Sequence, residues 1–170
     1  MLLKPLDLTW AIQAQLPRLD FVLPGLIPGS LGLLVAPGGT GKSFLALDCA
    51  VSLALGRPVA GGLFPARTPS KVVYLAAEET ERQIAERLRG MLRLDEHTDA
   101  FFKNLILLPM SGENCQLVAN GKRTELLKEL TALSAGARLI ILDPIRRLHN
   151  GEENDSADID STGHCVRIAR

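Results

Sequence analysis

The chain has 170 residues, 46% of them hydrophobic and 22% charged, a composition typical of one globular domain with an ordinary apolar core. The 19 basic and 19 acidic side chains give a net charge of zero, which excludes a global basic field for nucleic acid but leaves open a local patch or one created by assembly. Three widely spaced cysteines, and a sequence without a signal-peptide or membrane-span window, predict a cytoplasmic protein with reduced thiols and no membrane partner.

Three regions are predicted along the chain. Residues 1–30 are rich in leucine and proline, and we expect them to form an N-terminal segment for docking or oligomerisation. Trp10 and the apolar residues around it either cap the core or dock onto a neighbouring subunit, and the pattern does not decide between these alternatives. Residues 31–150 form the predicted core, and residues 151–170 form an acidic tail that we expect to be poorly ordered or truncated.

Within the core, short apolar runs alternate with helical patterns, which indicates an α/β fold with a mainly parallel sheet. The run LGLLVAP at 31–37 predicts a buried strand. The stretch KSFLALDCAVSLALG at 42–56 predicts a helix that ends at Gly56. Several glycines and prolines at 56–70 predict a surface loop.

Three further strands are predicted at 71–77, 104–109 and 138–143. The helix after the first of these begins at a capping-box spacing between Thr80 and Gln83. An amphipathic helix is predicted at 122–136, before the last strand. Helices with one apolar face on a parallel sheet predict a three-layer architecture.

The stretch APGGTGKS at 36–43, between the first predicted strand and the first core helix, has the composition of a phosphate-binding loop. Its glycines allow consecutive backbone N–H groups to turn toward an anion at the N-terminus of the helix. Lys42 supplies charge for the β- and γ-phosphates, and Ser43 supplies a hydroxyl ligand for Mg²⁺. Ala36 stands where the complete signature has glycine, which is acceptable if the backbone there has ordinary β geometry.

We therefore predict a site for ATP and Mg²⁺ at this loop, and the alternative is a glycine-rich turn with no ligand. The predicted nucleotide-binding residues are Pro37, Gly38, Gly39, Thr40, Gly41, Lys42, Ser43 and Phe44.

The second predicted magnesium residue is Asp143, which ends the apolar run RLIILD and holds the metal through water. A strand-end aspartate is also a common turn former, which is the alternative for this residue. Because Pro144 follows, a base directly after Asp143 is excluded.

The predicted base comes instead from the end of the strand at 71–77. Glu78 orients and deprotonates the water that attacks the γ-phosphate, and Lys42 is the other predicted catalytic residue. The alternative is that Glu78 and Glu79 only begin the next helix, where a negative charge favours the helix dipole, and we assign that part to Glu79.

Basic residues also follow the Asp143 strand. Arg146, Arg147 and His149 either contact phosphate, DNA or a neighbouring subunit, or are simply solvated. The acidic residues at 152–160 lack the spacing of a metal loop and predict a solvated segment. With five Phe, one Tyr and one Trp, the sequence has no pattern of aromatic and basic residues that would predict a stacking platform for single-stranded DNA.

Four stretches together, LDFVLPG, APGGTGKS, VVYLAAEET and LIILDPIRRLHNGEEN, resemble the RecA-fold ATPases of the plasmid RepA replicative helicase type. The resemblance implies a RecA-like P-loop NTPase that forms a homo-hexameric ring, hydrolyses ATP and moves along single-stranded DNA. It implies the same roles for Lys42, Ser43, Glu78 and Asp143 that the residue types indicate.

Members of that group continue past the Asp-bearing strand into another core strand with a polar sensor, then DNA-facing loops and an arginine that reaches the neighbour's ATP. This chain reaches Arg170 first, so we expect a sheet that is incomplete at its C-terminal side, and neither Arg167 nor Arg170 is assigned as that arginine. Two alternatives to a helicase motor stay open. One is a nucleotide-binding module without turnover that acts as a regulatory or interaction subunit, and the other is a RecA-like signalling or recombination ATPase.

Overall fold

A computed structural model of the chain describes residues 4–59, 66, 68–92 and 99–149. The predicted acidic tail, with Arg167 and Arg170, lies outside the described residues. In chain order, the elements are α1 (Leu8–Gln13), α2 (Lys42–Leu55), β1 (Val72–Ala76), α3 (Glu81–Met91), α4 (Asp99–Asn104), β2 (Leu105–Pro109), β3 (Val118–Ala119), β4 (Lys122–Arg123), α5 (Glu125–Leu133) and β5 (Leu139–Asp143), followed by a 3₁₀ turn at Ile145–Arg147.

The main sheet has three parallel strands in the order β2-β1-β5. β1 is central, and all five of its residues are buried, as expected for a parallel strand that is covered on both faces. The register sets Ala76 at the end of β1 opposite Asp143 at the end of β5. The parallel α/β sheet is confirmed, and the predicted carboxylates follow two adjacent strands at the same edge.

Two apolar clusters lie on opposite faces of the sheet because successive side chains of a strand point to opposite sides. Val72 and Tyr74 join the cluster that contains the buried residues of α2 and Ile84 of α3. Val73 and Leu75 join the cluster that contains the buried leucines of α5. This arrangement of helix, sheet and helix matches the three layers predicted from the sequence.

The core helices begin and end largely where the sequence predicts. α2 ends before Gly56, which has φ 69° and whose N–H donates to the Leu53 carbonyl. α3 begins at the predicted capping box, in which the Thr80 N–H donates to Gln83 Oε1 at 2.8 Å and the Gln83 N–H donates to Thr80 Oγ1 at 3.4 Å.

The predicted helix at 122–136 begins three residues too early. Lys122 and Arg123 form β4, which pairs with β3 in a two-stranded hairpin. Asn120 and Gly121 connect the strands with φ values of 51° and 70°, the geometry of a tight two-residue hairpin turn. Thr124 then caps α5 by accepting a hydrogen bond from the Leu127 N–H.

The buried strand predicted at 31–37 is wrong. The segment belongs to neither sheet, and Leu33, Leu34 and Val35 are 67%, 54% and 84% exposed. A segment forms a β-strand only when its backbone hydrogen-bonds to a neighbouring strand, and no strand of the described ranges pairs with this segment. Because β5 pairs with β1 alone among the described strands of this sheet, it lies at the edge of the sheet.

The N-terminal helix does not cap the core. α1 contains no buried residue, and Trp10 and Ile12 are 53% and 84% exposed. Farther along, Val22 is buried in the core, and the Arg138 guanidinium donates to Asp20 Oδ2 at 3.0 Å. Within the described parts of the chain, no helix has the length and apolarity needed to cross a bilayer.

Candidate functional site

The loop at 37–41 has the backbone conformation that its glycines allow. Gly39 and Gly41 have φ values of 76° and 86°, in the left-handed region that favours glycine. Among the described residues, Asn120 is the sole non-glycine with a positive φ, so Ala36 has the ordinary backbone geometry that an alanine requires there.

The glycines of this loop have open space beside their Cα atoms. A Cβ built on Gly38, Gly39 or Gly41 would meet no atom within 4 Å. Gly41 is the N-cap of α2 and, being glycine, has no side chain to accept hydrogen bonds from the first turn. An open, glycine-lined turn in front of the N-terminus of a 14-residue helix provides backbone donors and a favourable dipole for an anion.

Lys42, the first residue of α2, folds back over the loop. Its ammonium group donates to the carbonyl oxygens of Ala36 at 2.7 Å and Pro37 at 2.8 Å. The Thr40 hydroxyl also donates to the Pro37 carbonyl, at 2.8 Å. The lysine thus lies beside the turn, where a phosphate would compete with two carbonyl groups for its ammonium. Phe44 is 44% exposed in the first turn of the helix.

Asp143 reaches the same place from the end of β5. Tyr74 is buried, and its hydroxyl donates to Asp143 Oδ2 at 2.8 Å and lies 3.5 Å from the Ser43 carbonyl oxygen. Burial and the hydrogen bond to Asp143 raise the pKa of Tyr74 well above its ordinary value, so the phenol remains a neutral donor. A hydroxyl that sequence reasoning did not assign therefore lies between the Asp143 carboxylate and the main-chain carbonyl of Ser43.

The two glutamates after β1 have different surroundings. The Glu78 carboxylate accepts a hydrogen bond from the Arg146 guanidinium at 2.9 Å, and both side chains are largely exposed. Such a pair contributes little to stability, about 0–1 kcal/mol. It nevertheless shows that Arg146, one of the basic residues singled out in the sequence, contacts the predicted base.

Glu79, in contrast, is buried and paired with Arg87 of α3. Its Oε2 atom is buried without a hydrogen-bond partner among the described residues. Burial raises the pKa of Glu79, the Arg87 charge lowers it, and the Asp143 charge raises it again. Glu79 is thus a buried carboxylate whose pKa is affected by the Asp143 charge, although the sequence assigned it only to the start of the helix.

The oxygen donors at this edge fit a magnesium ion that arrives with nucleotide. Within the described ranges, no group of three or more His, Cys, Asp or Glu side chains could hold a metal by itself. Mg²⁺ prefers hard oxygen ligands and is usually bound through one or two protein groups plus substrate phosphates and water. The Ser43 hydroxyl and the Asp143 carboxylate have this chemistry.

The remaining basic residues after β5 have structural contacts. The Arg147 carbonyl accepts a hydrogen bond from the buried Cys115 thiol at 3.3 Å. His149 forms an isolated parallel bridge with Val118 of the hairpin. These contacts connect the segment after β5 to the β3–β4 hairpin.

A family model described as an AAA domain matches residues 2–170. The matched range includes the loop at 36–43 and the ends of β1 and β5.

Proposed function

Because the chain belongs to the AAA domain family, we propose that it binds ATP with Mg²⁺ at residues 37–44 and hydrolyses it. The family assignment by itself supports a nucleotide-binding ATPase module with an α/β P-loop fold. The observation that supports the finer proposal is that the Tyr74 hydroxyl lies beside the Ser43 carbonyl and donates to Asp143, so the start of α2, directly after the open loop, lies next to the end of β5.

Each group has one part in the proposed reaction. The backbone N–H groups of the loop and Lys42 bind the β- and γ-phosphates. To do so, the Lys42 ammonium gives up its hydrogen bonds to the carbonyls of Ala36 and Pro37 and donates to phosphate oxygens instead. Ser43 and Asp143 hold Mg²⁺, which when bound neutralises charge on the phosphate oxygens.

Glu78 is the proposed base. It lies after β1, next to the end of β5, and orients the attacking water and accepts its proton. Its carboxylate accepts a hydrogen bond from Arg146, and because this exposed pair is weak, Glu78 can exchange that bond for one to the water during turnover.

On the sequence resemblance, we extend the proposal to the motor of a homo-hexameric, RepA-type replicative DNA helicase that acts in the cytoplasm on single-stranded DNA. The net charge of zero is compatible with this, since a ring of subunits can concentrate basic groups that one subunit does not display. The exposed apolar residues of α1 are suited to contact a neighbouring subunit.

A nucleotide-binding module without turnover is the second candidate. The observation that favours it is that protein groups engage both proposed catalytic side chains, Lys42 through two carbonyls and Glu78 through Arg146. If Lys42 moves to the phosphates but the Arg146 contact with Glu78 persists, nucleotide binds and the base does not accept the proton of the attacking water, so hydrolysis does not take place.

Steady-state ATP hydrolysis by the wild type and Glu78→Gln, with and without single-stranded DNA, tests these proposals. For a motor we expect hydrolysis that DNA stimulates and that Glu78→Gln lowers about 10²- to 10⁴-fold while ATP affinity is kept. The matched control is Glu81→Gln, an exposed glutamate of α3 that should behave as the wild type. Mg-ATP binding with no turnover would instead support the module, and no Mg-ATP binding would contradict both candidates.

A further inference from the structure

The buried hydroxyl of Tyr74 has a more specific role than filling the core. We propose that Tyr74 is a positioning residue that fixes the Asp143 carboxylate against the first turn of α2, and thereby sets the affinity of the site for Mg²⁺ bound with nucleotide. This inference rests on the proposed function and names a residue that acts through Asp143 rather than on the nucleotide.

The sheet register explains how the contact arises. Tyr74 pairs with Ile141 in β5, and Asp143 lies two residues farther along the same strand. Residues i and i+2 of a strand share a face, so the side chains of Ile141 and Asp143 lie on the side of the sheet that packs against α2. Two residues span about 6.6 Å along a parallel strand, a distance that a phenol ring and its hydroxyl can bridge.

The chemistry of the contact favours a positioning role. A buried hydroxyl needs a partner, and at 1% exposure Tyr74 has the Asp143 carboxylate at 2.8 Å. A hydrogen bond to an ionised carboxylate is stronger than one between neutral groups, so it restrains the orientation of both carboxylate oxygens. Since the hydroxyl has one proton to donate, the Ser43 carbonyl at 3.5 Å is a packing neighbour and not a competing acceptor.

The same hydroxyl also lies beside the main chain of Ser43, the other predicted magnesium residue. Tyr74 touches the backbone of Ser43 on one side and the carboxylate of Asp143 on the other. Partners behind a metal ligand typically change metal affinity or activity about 10- to 100-fold when they are removed. A phenylalanine would fill the same core volume, so the hydroxyl can be tested separately from the ring.

The test is ADP binding by calorimetry, in EDTA and over a Mg²⁺ titration, for the wild type and Tyr74→Phe. We expect unchanged ADP affinity in EDTA and a half-saturating Mg²⁺ concentration that rises about 10-fold. The matched control is Ser52→Ala, which removes another buried hydroxyl, on α2, and should leave the Mg²⁺ dependence unchanged. A Tyr74→Phe protein with the wild-type Mg²⁺ dependence would overturn the inference.

A double-mutant cycle tests whether the effect passes through Asp143. We expect Asp143→Asn to raise the half-saturating Mg²⁺ concentration for ADP binding. In that background Tyr74→Phe should raise it no further, because the effects of coupled residues are not additive. Additive effects would overturn the inference. A wild type with no Mg²⁺-dependent ADP binding would contradict the proposed function itself, which distinguishes the two failures.

Tyr74 is the only tyrosine of the chain, which gives a readout that needs no substitution. With 3-fluorotyrosine incorporated, we expect its single ¹⁹F resonance to shift more with ADP and Mg²⁺ than with ADP in EDTA. Equal spectra under both conditions would overturn the inference even if Tyr74→Phe does not fold.

Discussion

Gly38 and Gly41 belong to the same loop, but the backbone requires only one of them. Gly41 has φ 86°, where any other residue is strained. Gly38 is not among the residues with positive φ, and a Cβ built on it would meet nothing within 4 Å. The protein's own packing therefore leaves Gly38 free to vary, and the remaining reason for a glycine is the close approach of a ligand to the backbone.

Gly38→Ala should separate these two requirements. We expect its free energy of unfolding to stay within about 0.5 kcal/mol of the wild type, as for other unstrained substitutions. We expect its ATP affinity to fall about tenfold, or about 1.4 kcal/mol, because the new methyl group occupies space that the phosphates need. Urea denaturation and ATP titration measure the two quantities, and unchanged affinity would argue against a phosphate in this turn.

At the same scale, the sequence could predict the residue types of the site but not all of its contacts. The loop and both strand-end carboxylates follow from local patterns. The bond from Tyr74 to Asp143 joins residues 69 positions apart, and it depends on the register of two strands that no local pattern fixes. The same is true of the contact from Arg146 to Glu78, 68 positions away.

Among the elements, the end of α2 depends on Gly56 for two separate reasons. Its φ is 69°, and a Cβ there would lie 2.4 Å from the Pro69 ring and backbone nitrogen. The helix that carries Lys42 and Ser43 at its start is thus anchored at its other end by a position that tolerates no side chain.

Gly56→Ala should destabilise the protein by at least about 1 kcal/mol, from the left-handed backbone alone, and by more from the clash with Pro69. The matched control is Gly90→Ala in α3, where φ is not positive and a Cβ meets open space. That substitution should stabilise by about 0.5–1 kcal/mol, since alanine is the better helix former. Urea denaturation of both variants checks the pair, and equal effects would contradict the assigned geometry of Gly56.

Element boundaries show why some predictions were better than others. The capping box at Thr80 and Gln83 is a local signal, and it marks the start of α3 correctly. The Asn120–Gly121 pair is also a local signal for a hairpin turn. The helix predicted from the leucine periodicity after it began at residue 122, within the second strand of that hairpin. The strand predicted at 31–37 was wrong for a different reason. An apolar run indicates burial, but a strand also needs a neighbouring strand to pair with, and the run does not identify one.

On the scale of the whole molecule, the sequence predicted the layers but not the strand order. Strands that alternate with helices imply a parallel sheet, whereas the order β2-β1-β5 depends on pairings between residues that are far apart in the sequence. In this order β5 lies at an edge, and the apolar segment at 31–35 remains exposed. Unpaired strand edges and apolar surface are typical causes of association between copies of a chain.

We therefore expect the isolated chain to associate in a concentration-dependent way, and Leu33→Lys to reduce that association. Leu33 is 67% exposed, so the substitution should change the free energy of unfolding by no more than about 0.5 kcal/mol. Phe102→Lys is the matched control, because that side chain is 66% exposed but lies on α4. Sedimentation velocity over a range of concentrations measures the effect. If exposed apolar area alone drives association, the two variants should behave alike, whereas a specific contribution of the 31–35 segment requires a larger effect of Leu33→Lys.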